Sequence, residues 1–378
     1  MRVLQLFNNW KWTGPAEYAF NLAVMLKKQG IETVIACGRP PEDATASFFT
    51  IAQERGLVPV ADFFLDKHLN VRKNLRDYRR LRAFMSKTNF SVIHSHLTNG
   101  HLLGSAAARA VTPTPVMVRT CYENNGGSWR DTLLYRHATD GVIAVANSTR
   151  QAVVRKSRLD PSLVPCIPAA IDIDRFNPRK GLSHNRAVWN IPAEATVVGI
   201  VARVQSHRRF HIFLQGIAEA VKKIPCLKVM VIGRGTRIKE LAIEPAKSMG
   251  LYDHFIFTGY RKDDYVETLN CIDMKVFLVP GSDESCRAVR EAMAVGKPVI
   301  VARRGMLPEI VDHASNGLVI DDTPENLAQA IVRLVEDKNF RERLGRNAFH
   351  KAQTEFSLQN QVDRVIEFYE KLCREKRA

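Results

Sequence analysis

The residues that decide the fold are 274–300, which read MKVFLVPGSDESCRAVREAMAVGKPVI. Residues 274–279 form a short apolar run that predicts a buried strand, and the Pro-Gly-Ser sequence at 280–282 predicts a turn. The residues after the turn predict a helix, and residues 298–302 predict the next strand. Strand, turn, helix and strand in this order form the repeating unit of a parallel α/β sheet.

Two acidic residues are expected to begin this helix and a third to follow about two turns later: Asp283, Glu284 and Glu291. A helix start presents unpaired backbone N–H groups and the positive end of the helix dipole, and therefore suits an anionic ligand. Carboxylates there should repel a phosphate unless they bind something beside it, such as sugar hydroxyls. The combination indicates a nucleotide sugar.

The segment resembles the signature of the retaining glycosyltransferases of family 4, which have the two-domain GT-B fold. That signature is Glu, seven residues, and a second Glu that begins a Glu-Ala-x-Ala-x-Gly-x-Pro-Val run. Residues 291–299 (EAMAVGKPV) match the run, so Glu291 is the second Glu. The first position is Asp283, whose arm is shorter by one carbon–carbon bond, roughly 1.5 Å. Glu284 is the alternative, with one residue fewer between the acids.

Strand and helix patterns alternate along the chain, as expected of parallel sheets with covering helices. The resemblance implies an α/β fold of two Rossmann-like doubly wound domains facing a cleft. We expect an acceptor-side domain at 1–172, a nucleotide-sugar-binding domain at 173–355, and a C-terminal helix at 356–378 that crosses back to the first domain. Strands are predicted at residues 3–7, 32–37, 91–94, 116–118, 141–145, 196–201, 228–232, 255–257, 274–279, 298–302 and 317–320.

Composition narrows the function classes. The chain has 378 residues, enough for two α/β domains, and no run of about 20 apolar residues that predicts a membrane span. Its N-terminus resembles a first strand and lacks signal-peptide features, and its seven cysteines are scattered without metal-finger spacing. We therefore expect a reduced, cytoplasmic protein. The net charge of +16 predicts an anionic partner.

Transfer from a nucleotide sugar must stabilise charge on a departing diphosphate, and without a metal this falls to cations and backbone dipoles. The resemblance implies this role for Arg203 and for Arg208 or Arg209, between which the sequence does not choose. It implies that Glu291 accepts hydrogen bonds from the ribose hydroxyls and that Asp283 holds hydroxyls of the transferred sugar. The alternatives are an exposed helix glutamate and a helix N-cap.

The other donor-binding candidates come from the same resemblance. Residues 229–235 (VMVIGRG) are similar to the family's strand that ends in a Gly-x-Gly turn, and 257–260 (FTGY) to the strand and loop that contact the nucleobase. The resulting candidates are Gly14, Gly233, Tyr260, Glu284 and Ser285. Gly14 begins a segment that aligns with the family's Gly-Gly-x-Glu loop, although Pro15 has no N–H to give to a phosphate.

A histidine pair, His94 and His96, follows a predicted strand of the first domain. The alternation of side chains along a strand sends both imidazoles to the same side. In the family, the second histidine of such a pair lies against the donor sugar. The resemblance therefore implies that His96 contacts the sugar as a hydrogen-bonding group rather than as a nucleophile.

A basic helix is predicted at residues 72–82, with an apolar stripe of Leu75, Tyr78, Leu81 and Met85 that leaves most of its arginines facing outward. It is either a solvated helix face or a docking surface for anionic lipid on the inner face of the cell membrane. Nucleic acid is not expected as a partner, because no zinc-knuckle, helix-turn-helix or aromatic-basic module is present.

Taken together, the residues and the resemblance predict a metal-independent, retaining glycosyltransferase without a cofactor. Its acceptor is expected to be a carbohydrate or a lipid-linked molecule, in the synthesis of cell-surface polysaccharide, lipopolysaccharide or glycolipid. Two alternatives remain at this point. One is an epimerase or phosphorylase-like enzyme of the same fold. The other is a non-catalytic protein with a decayed site, marked by Asp283 and Pro15, that binds anions or membranes.

Overall fold

A computed structural model describes residues 1–44, 47–177, 186–280 and 286–376. The chain forms two compact units. Among the described residues, unit 1 holds 1–170 and 358–376, and unit 2 holds 171–280 and 286–357. The sequence places the corresponding boundaries after residues 172 and 355.

Unit 1 contains a parallel five-stranded sheet with the strand order β2-β1-β3-β4-β5. Its strands are β1 (Arg2–Phe7), β2 (Glu32–Cys37), β3 (Val92–Ser95), β4 (Val116–Cys121) and β5 (Gly141–Ala144). Its helices along the chain are α1 (Gly14–Lys28), α2 (Phe48–Glu54), α3 (Val71–Thr88), α4 (Thr98–Ala108), α5 (Trp129–Ala138) and α6 (Asn147–Ser157). The winding direction reverses between β1 and β3, which lie side by side.

Unit 2 contains a parallel six-stranded sheet with the order β8-β7-β6-β9-β10-β11. Its strands are β6 (Val197–Val201), β7 (Lys228–Ile232), β8 (Phe255–Gly259), β9 (Met274–Phe277), β10 (Val299–Ala302) and β11 (Gly317–Ile320). Its α-helices are α7 (Phe210–Lys223), α8 (Glu244–Ser248), α9 (Tyr265–Asn270), α10 (Arg287–Ala294), α11 (Leu307–Ile310), α12 (Pro324–Glu336) and α13 (Lys338–Glu355). This is the doubly wound order of dinucleotide-binding folds, with its reversal between β6 and β9.

The strands are mostly apolar because helices cover both faces of a parallel sheet. The last helix, α14 (Leu358–Glu375), belongs to unit 1 and buries Val362, Val365, Tyr369 and Leu372 in its core. Gly141 permits this packing, since a Cβ at that position would lie 2.5 Å from the ring of Phe368.

All eleven predicted strands are present, and the bounds of β2, β7 and β11 agree with the prediction to the residue. The predicted start of the helix after β9 is wrong. Cys286 has a φ of 40°, in the left-handed region, so the chain is not helical there and α10 begins only at Arg287. Asp283, Glu284 and Ser285 lie outside the described residues.

The predicted stripe of the basic helix is wrong at one position. In α3 the buried residues are Asn74, Asp77, Leu81 and Met85, whereas Leu75 is exposed. The reason is that Asp77 faces inward, where its carboxylate accepts hydrogen bonds from the backbone N–H groups of Phe64 and Leu65 at 3.0 and 2.8 Å. Because Asp77 faces inward to accept these hydrogen bonds, Leu75, two residues earlier, lies on the exposed side of the helix.

Candidate functional site

In doubly wound sheets, ligands bind outside the carboxyl ends of the strands, where the winding direction reverses. In unit 2 that position is the edge where β6 and β9 end. Arg203 follows β6, Gly233 follows β7, and Pro280 lies just after β9. Of the candidate donor-site residues of unit 2 that the structure describes, Arg203, Gly233 and Tyr260 therefore follow neighbouring strands. Arg208 and Arg209 lie just before α7, and Glu291 lies on α10.

The Gly-x-Gly turn after β7 packs directly on the loop that carries Arg203. Gly233 has a φ of 147°, and a Cβ on it would lie 2.2 Å from the carbonyl oxygen of Ala202. A Cβ on Gly235 would be equally close to the carbonyl oxygen of Val204, whose N–H donates to the Arg234 carbonyl at 3.1 Å. Only glycine permits this approach, which leaves the Arg203 side chain exposed at the strand ends.

The structure separates the two arginines between which the sequence does not choose. Arg208 donates from Nη1 to the carbonyl oxygens of Val279 and Pro280 at 3.0 and 3.3 Å, so it lies at the end of β9. Arg209 instead forms a 2.8 Å ion pair with Asp322, which Arg304 also contacts at 2.6 Å. Arg208 therefore lies at the switch point, and the charge of Arg209 is balanced elsewhere.

Tyr260 follows β8 and is exposed. The guanidinium of Arg234 lies over its ring at 4.8 Å, within cation–π range. Ring and guanidinium together form a flat, exposed surface beside the Gly-x-Gly turn. Such a surface is able to stack on a planar base.

Glu291 is buried, which excludes the alternative of an exposed helix glutamate. Its carboxylate accepts hydrogen bonds from the Tyr265 hydroxyl at 2.7 Å and from Nε of Arg287 at 2.5 Å. Burial is the largest influence on its pKa and raises it. However, Arg287, Tyr265 and Lys275 together outweigh burial and hold the pKa of Glu291 below its ordinary value. The residue is therefore an ionised acid at neutral pH.

Lys275, on β9, is a buried group that the sequence reasoning missed. Its side chain is fully buried, and Nζ donates to the carbonyl oxygen of Ala288 in the first turn of α10. Burial lowers the pKa of Lys275 to about 7, while the charge of Glu291 acts to raise it. The signal in the sequence is a lone lysine inside the apolar strand MKVF. Tyr265 and Arg287 were missed because their sequence carries no comparable signal.

The histidines of unit 1 lie at its own switch point, where β3 ends beside β1. Their rings stack with centroids 4.5 Å apart, which confirms that both face the same side. His94 contacts the Tyr369 hydroxyl of α14 through Nδ1 at 2.6 Å and the Thr120 hydroxyl through Nε2 at 2.7 Å. Burial lowers the pKa of His94 to about 3, so this histidine is neutral.

His96 is fully buried as well. Its Nδ1 lies 2.9 Å from the Tyr122 hydroxyl, and its Nε2 lies 2.9 Å from the side-chain amide of Gln5. Burial, helped by the charge of Arg119, holds the pKa of His96 well below its ordinary value. The ring is therefore neutral, and a sugar hydroxyl must replace one of these two partners to reach it. The sugar contact of His96 remains a prediction.

Gly14 is the first residue of α1, after the loop that leaves β1, and Pro15 occupies the first turn. It lies at the same edge of the unit 1 sheet as His96, because β1 and β3 are parallel neighbours. Among the described residues, no group of three or more histidine, cysteine, aspartate or glutamate side chains is arranged to hold a metal ion.

Two family models match the chain. Residues 12–175 match "Glycosyltransferase Family 4", and residues 183–351 match "Glycosyl transferases group 1". Among curated proteins, a D-inositol 3-phosphate glycosyltransferase of Streptomyces bingchenggensis is 26% identical over 69% of this chain and 57% of that protein. The spore coat protein SA of Bacillus subtilis is 24% identical over 61% of this chain and 64% of that protein. The chain thus spans under two thirds of the length of these relatives.

A further relative matches over more of its length. The UDP-Gal:alpha-D-GlcNAc-diphosphoundecaprenol alpha-1,3-galactosyltransferase of Escherichia coli is 22% identical over 81% of both proteins. Among solved structures, Anabaena Alr3699/HepE in complex with UDP and glucose has a TM-score of 0.79 and 19% identity, over 98% of this chain and all of that one. The family models and the strand orders agree, and the chain belongs to the group 1, family 4 glycosyltransferases with the GT-B fold.

Proposed function

We propose that the protein transfers a sugar from a nucleotide-diphosphate donor to an acceptor hydroxyl, with retention of the anomeric configuration. The observation that carries the proposal is the arrangement at the switch point of unit 2. There, Arg203 and Arg208 lie at strand ends whose backbones approach closely because of Gly233. Such an edge suits a diphosphate, and the solved structure with UDP and glucose supports this class of donor.

The proposed roles follow from charge and hydrogen bonding. The guanidinium groups of Arg203 and Arg208 stabilise the departing diphosphate, since preorganised cations act on charge as it develops. Glu291 is ionised and accepts hydrogen bonds from the ribose hydroxyls. By the family resemblance, Asp283 holds the transferred sugar and His96 contacts it. The attacking hydroxyl approaches the face that the diphosphate leaves, and the leaving phosphate takes its proton.

The donor and the metal requirement are tested together. Purified protein is melted with UDP-, GDP-, ADP- and TDP-sugars, in EDTA and in Mg²⁺. A ligand that binds only the folded protein raises the melting temperature by mass action, by the same amount in both buffers if no metal is needed. The anomeric configuration of the product is then read by NMR. An inverted product contradicts retention, and a shift that requires Mg²⁺ contradicts metal independence.

We further propose that α3 docks the protein on the anionic, cytoplasmic face of a membrane, next to a carbohydrate or lipid-linked acceptor. Arg72, Arg76 and Arg79 are exposed, and the one acid of this helix, Asp77, is buried. Each basic side chain near such a surface contributes about 1 kcal/mol. No described helix is long and apolar enough to cross a membrane.

Exposed apolar side chains support the same surface. Leu69, Val71 and Leu75 are exposed around the start of α3, and Trp129 is exposed at the start of α5. In a parallel sheet, the helix that leads into a strand begins at the carboxyl edge. The starts of α3 and α5 therefore lie at the edge where His96 and Gly14 are found. Insertion of these side chains would bring that edge to the lipid surface.

A further inference from the structure

Lys275 is in an unusual position for a lysine. It lies on β9, an interior strand of the unit 2 sheet, and none of its side chain is exposed. Its Nζ donates to the Ala288 carbonyl, and the ammonium lies 5.9 Å from the centre of the Phe277 ring. A buried ammonium is costly unless a charge or several hydrogen bonds compensate it. An aliphatic side chain at this position of the strand would avoid the cost of burying an ammonium, and yet the strand holds a lysine.

The compensating charge is Glu291. It follows Ala288 by three residues on α10, so the carbonyl that Lys275 contacts and the carboxylate lie on the same side of the helix. Burial lowers the pKa of Lys275 to about 7, and Glu291 is the charged group that opposes this shift. The influence is mutual, since Lys275 helps to hold the pKa of Glu291 below its ordinary value.

The other groups that act on Glu291 differ from Lys275 in what they can do. Tyr265, on α9, donates a hydrogen bond but carries no charge, because burial holds its pKa well above the ordinary value. Arg287, on α10, supplies charge, but its side chain is 39% exposed while that of Glu291 is 4% exposed. A ribose that reaches the carboxylate from solvent must therefore compete with Arg287.

We propose that Lys275 is a positioning residue: its ammonium is the buried counter-charge of Glu291, which keeps the carboxylate ionised while Arg287 gives way to the ribose. The ribose part of this inference rests on the proposed function. The coupling of Lys275 to Glu291 does not, and it is measurable in the free protein. Below the pKa of Lys275 the counter-charge is present, and above it the counter-charge is lost.

The first experiment measures the Glu291 carboxyl directly. Protein labelled with ¹³C at the glutamate carboxyl is titrated by NMR, and the Glu291 resonance is assigned by its loss in Glu291→Gln. We expect Lys275→Met to raise the pKa of Glu291. Lys275→Gln, which still offers a donor to Ala288, should raise it similarly if charge is what matters. An unchanged Glu291 titration in both variants overturns the proposal.

A matched control is available in Lys297, which is also in unit 2. Its Nζ donates to the Asn270 carbonyl at 3.0 Å, and burial lowers its pKa, but it is not among the groups that act on Glu291. Lys297→Met should therefore leave the Glu291 titration unchanged. A shift as large as that of Lys275→Met would show a general loss of positive charge rather than a specific coupling, and would overturn the proposal.

The second experiment measures UDP affinity by calorimetry between pH 5.5 and 9. Wild type and Lys275→Met should differ most at pH 5.5, where a raised pKa leaves part of the Glu291 carboxylate of the variant protonated and weakens UDP binding in proportion to that fraction. They should converge above pH 8, where Lys275 is neutral in the wild type. Affinity ratios that do not vary with pH contradict the proposal. Absence of UDP binding in the wild type counts against the proposed donor, while the NMR result still decides the coupling.

Discussion

At the scale of the residue, Glu291 combines a candidate binding role with a structural one. Glu291→Gln keeps the size of the side chain and its contact with Tyr265 but removes the charge that Arg287 and Lys275 face. We expect UDP binding to weaken by roughly 1.5–3 kcal/mol, the value of a hydrogen bond to a charged group. Calorimetry measures the loss, with Glu336→Gln, an exposed residue at the end of α12, as control. Equal binding by both variants excludes the ribose role.

Truncation of the same residue should behave differently. Both variants remove the counter-charge of Lys275, but Glu291→Ala also removes the acceptor of the buried Tyr265 hydroxyl, and a buried donor left without a partner typically costs about 1–3 kcal/mol. We therefore expect Glu291→Ala to lower the melting temperature clearly more than Glu291→Gln. Similar melting temperatures for the two variants would mean that the Tyr265 hydroxyl finds another acceptor.

The buried position of Lys275 also predicts how the free energy of unfolding depends on pH. Burial lowers its pKa from 10.5 to about 7, so the unfolded chain binds one more proton than the folded chain between those values. Stability must rise with pH wherever the unfolded state binds more protons, here between about pH 7 and 10.5. Lys275→Met should remove roughly 3–5 kcal/mol of this rise, measured as the difference between urea unfolding curves of the two proteins. Parallel pH dependences would contradict the burial of a charged lysine.

At the scale of the element, much of the fold could be predicted from the sequence. Apolar runs between turn signals located every strand, because a parallel sheet buries both faces and leaves no room for polar alternation. The start of α10 was not accessible, because the left-handed φ of Cys286 is a rare conformation that residue type does not signal. Leu75 was predicted to be buried but is exposed, because helical periodicity does not reveal that Asp77 faces inward to bind the loop at Phe64.

The candidate site was accessible only in part, for a related reason. Linear motifs identified Arg203, Gly233 and Glu291, since these residues carry a recognisable spacing. The choice between Arg208 and Arg209 depends on which strand end each guanidinium reaches, and the partners of both are over 70 residues away along the chain or on another element. No local pattern encodes such contacts.

The loop after β7 gives an element-scale prediction. Gly233 and Gly250 both have positive φ, 147° and 69°, but a Cβ on Gly250 would meet nothing within 4 Å. Gly250→Ala should cost only the backbone strain, about 1 kcal/mol. Gly233→Ala should cost clearly more, because its Cβ would lie 2.2 Å from the Ala202 carbonyl oxygen and must displace the Arg203 loop. Urea unfolding compares the two, and equal costs would mean that the loop yields without strain.

The arginine face of α3 gives a second prediction for a single element, which concerns membrane binding. Replacing Arg72, Arg76 and Arg79 by glutamine should reduce binding to vesicles of anionic lipid, by about 1 kcal/mol for each residue in contact with the surface. Binding should also weaken as salt is raised, because these charges are exposed. Sedimentation with anionic and zwitterionic vesicles measures both effects. Arg333, Arg343 and Arg346, on α12 and α13 of unit 2, provide a control triple of the same charge change. Equal losses of vesicle binding in the two triple variants would indicate non-specific electrostatic attraction and would contradict docking through α3.

At the scale of the whole molecule, the chain visits unit 1, then unit 2, and then returns to unit 1 through α14. The return is structural as well as topological, since Tyr369 of α14 hydrogen-bonds to His94 and Phe368 fills the space left by Gly141. Phe368→Ala should therefore destabilise unit 1 by about 3–5 kcal/mol. Hydrogen exchange should speed up in β3, β4 and β5, while Phe213→Ala should act instead on the strands of unit 2. Faster exchange in both units from either variant would contradict separate cores.

The position of α14 has a consequence for folding during synthesis. A ribosome makes the chain from its N-terminus, so unit 2 is synthesised before the helix that completes unit 1. Until then, the apolar groove that later holds Val362, Val365 and Leu372 remains open, although the strands around it have long left the exit tunnel. The nascent chain thus carries an exposed hydrophobic surface while unit 2 is being synthesised, and that surface is a natural place for a chaperone to bind.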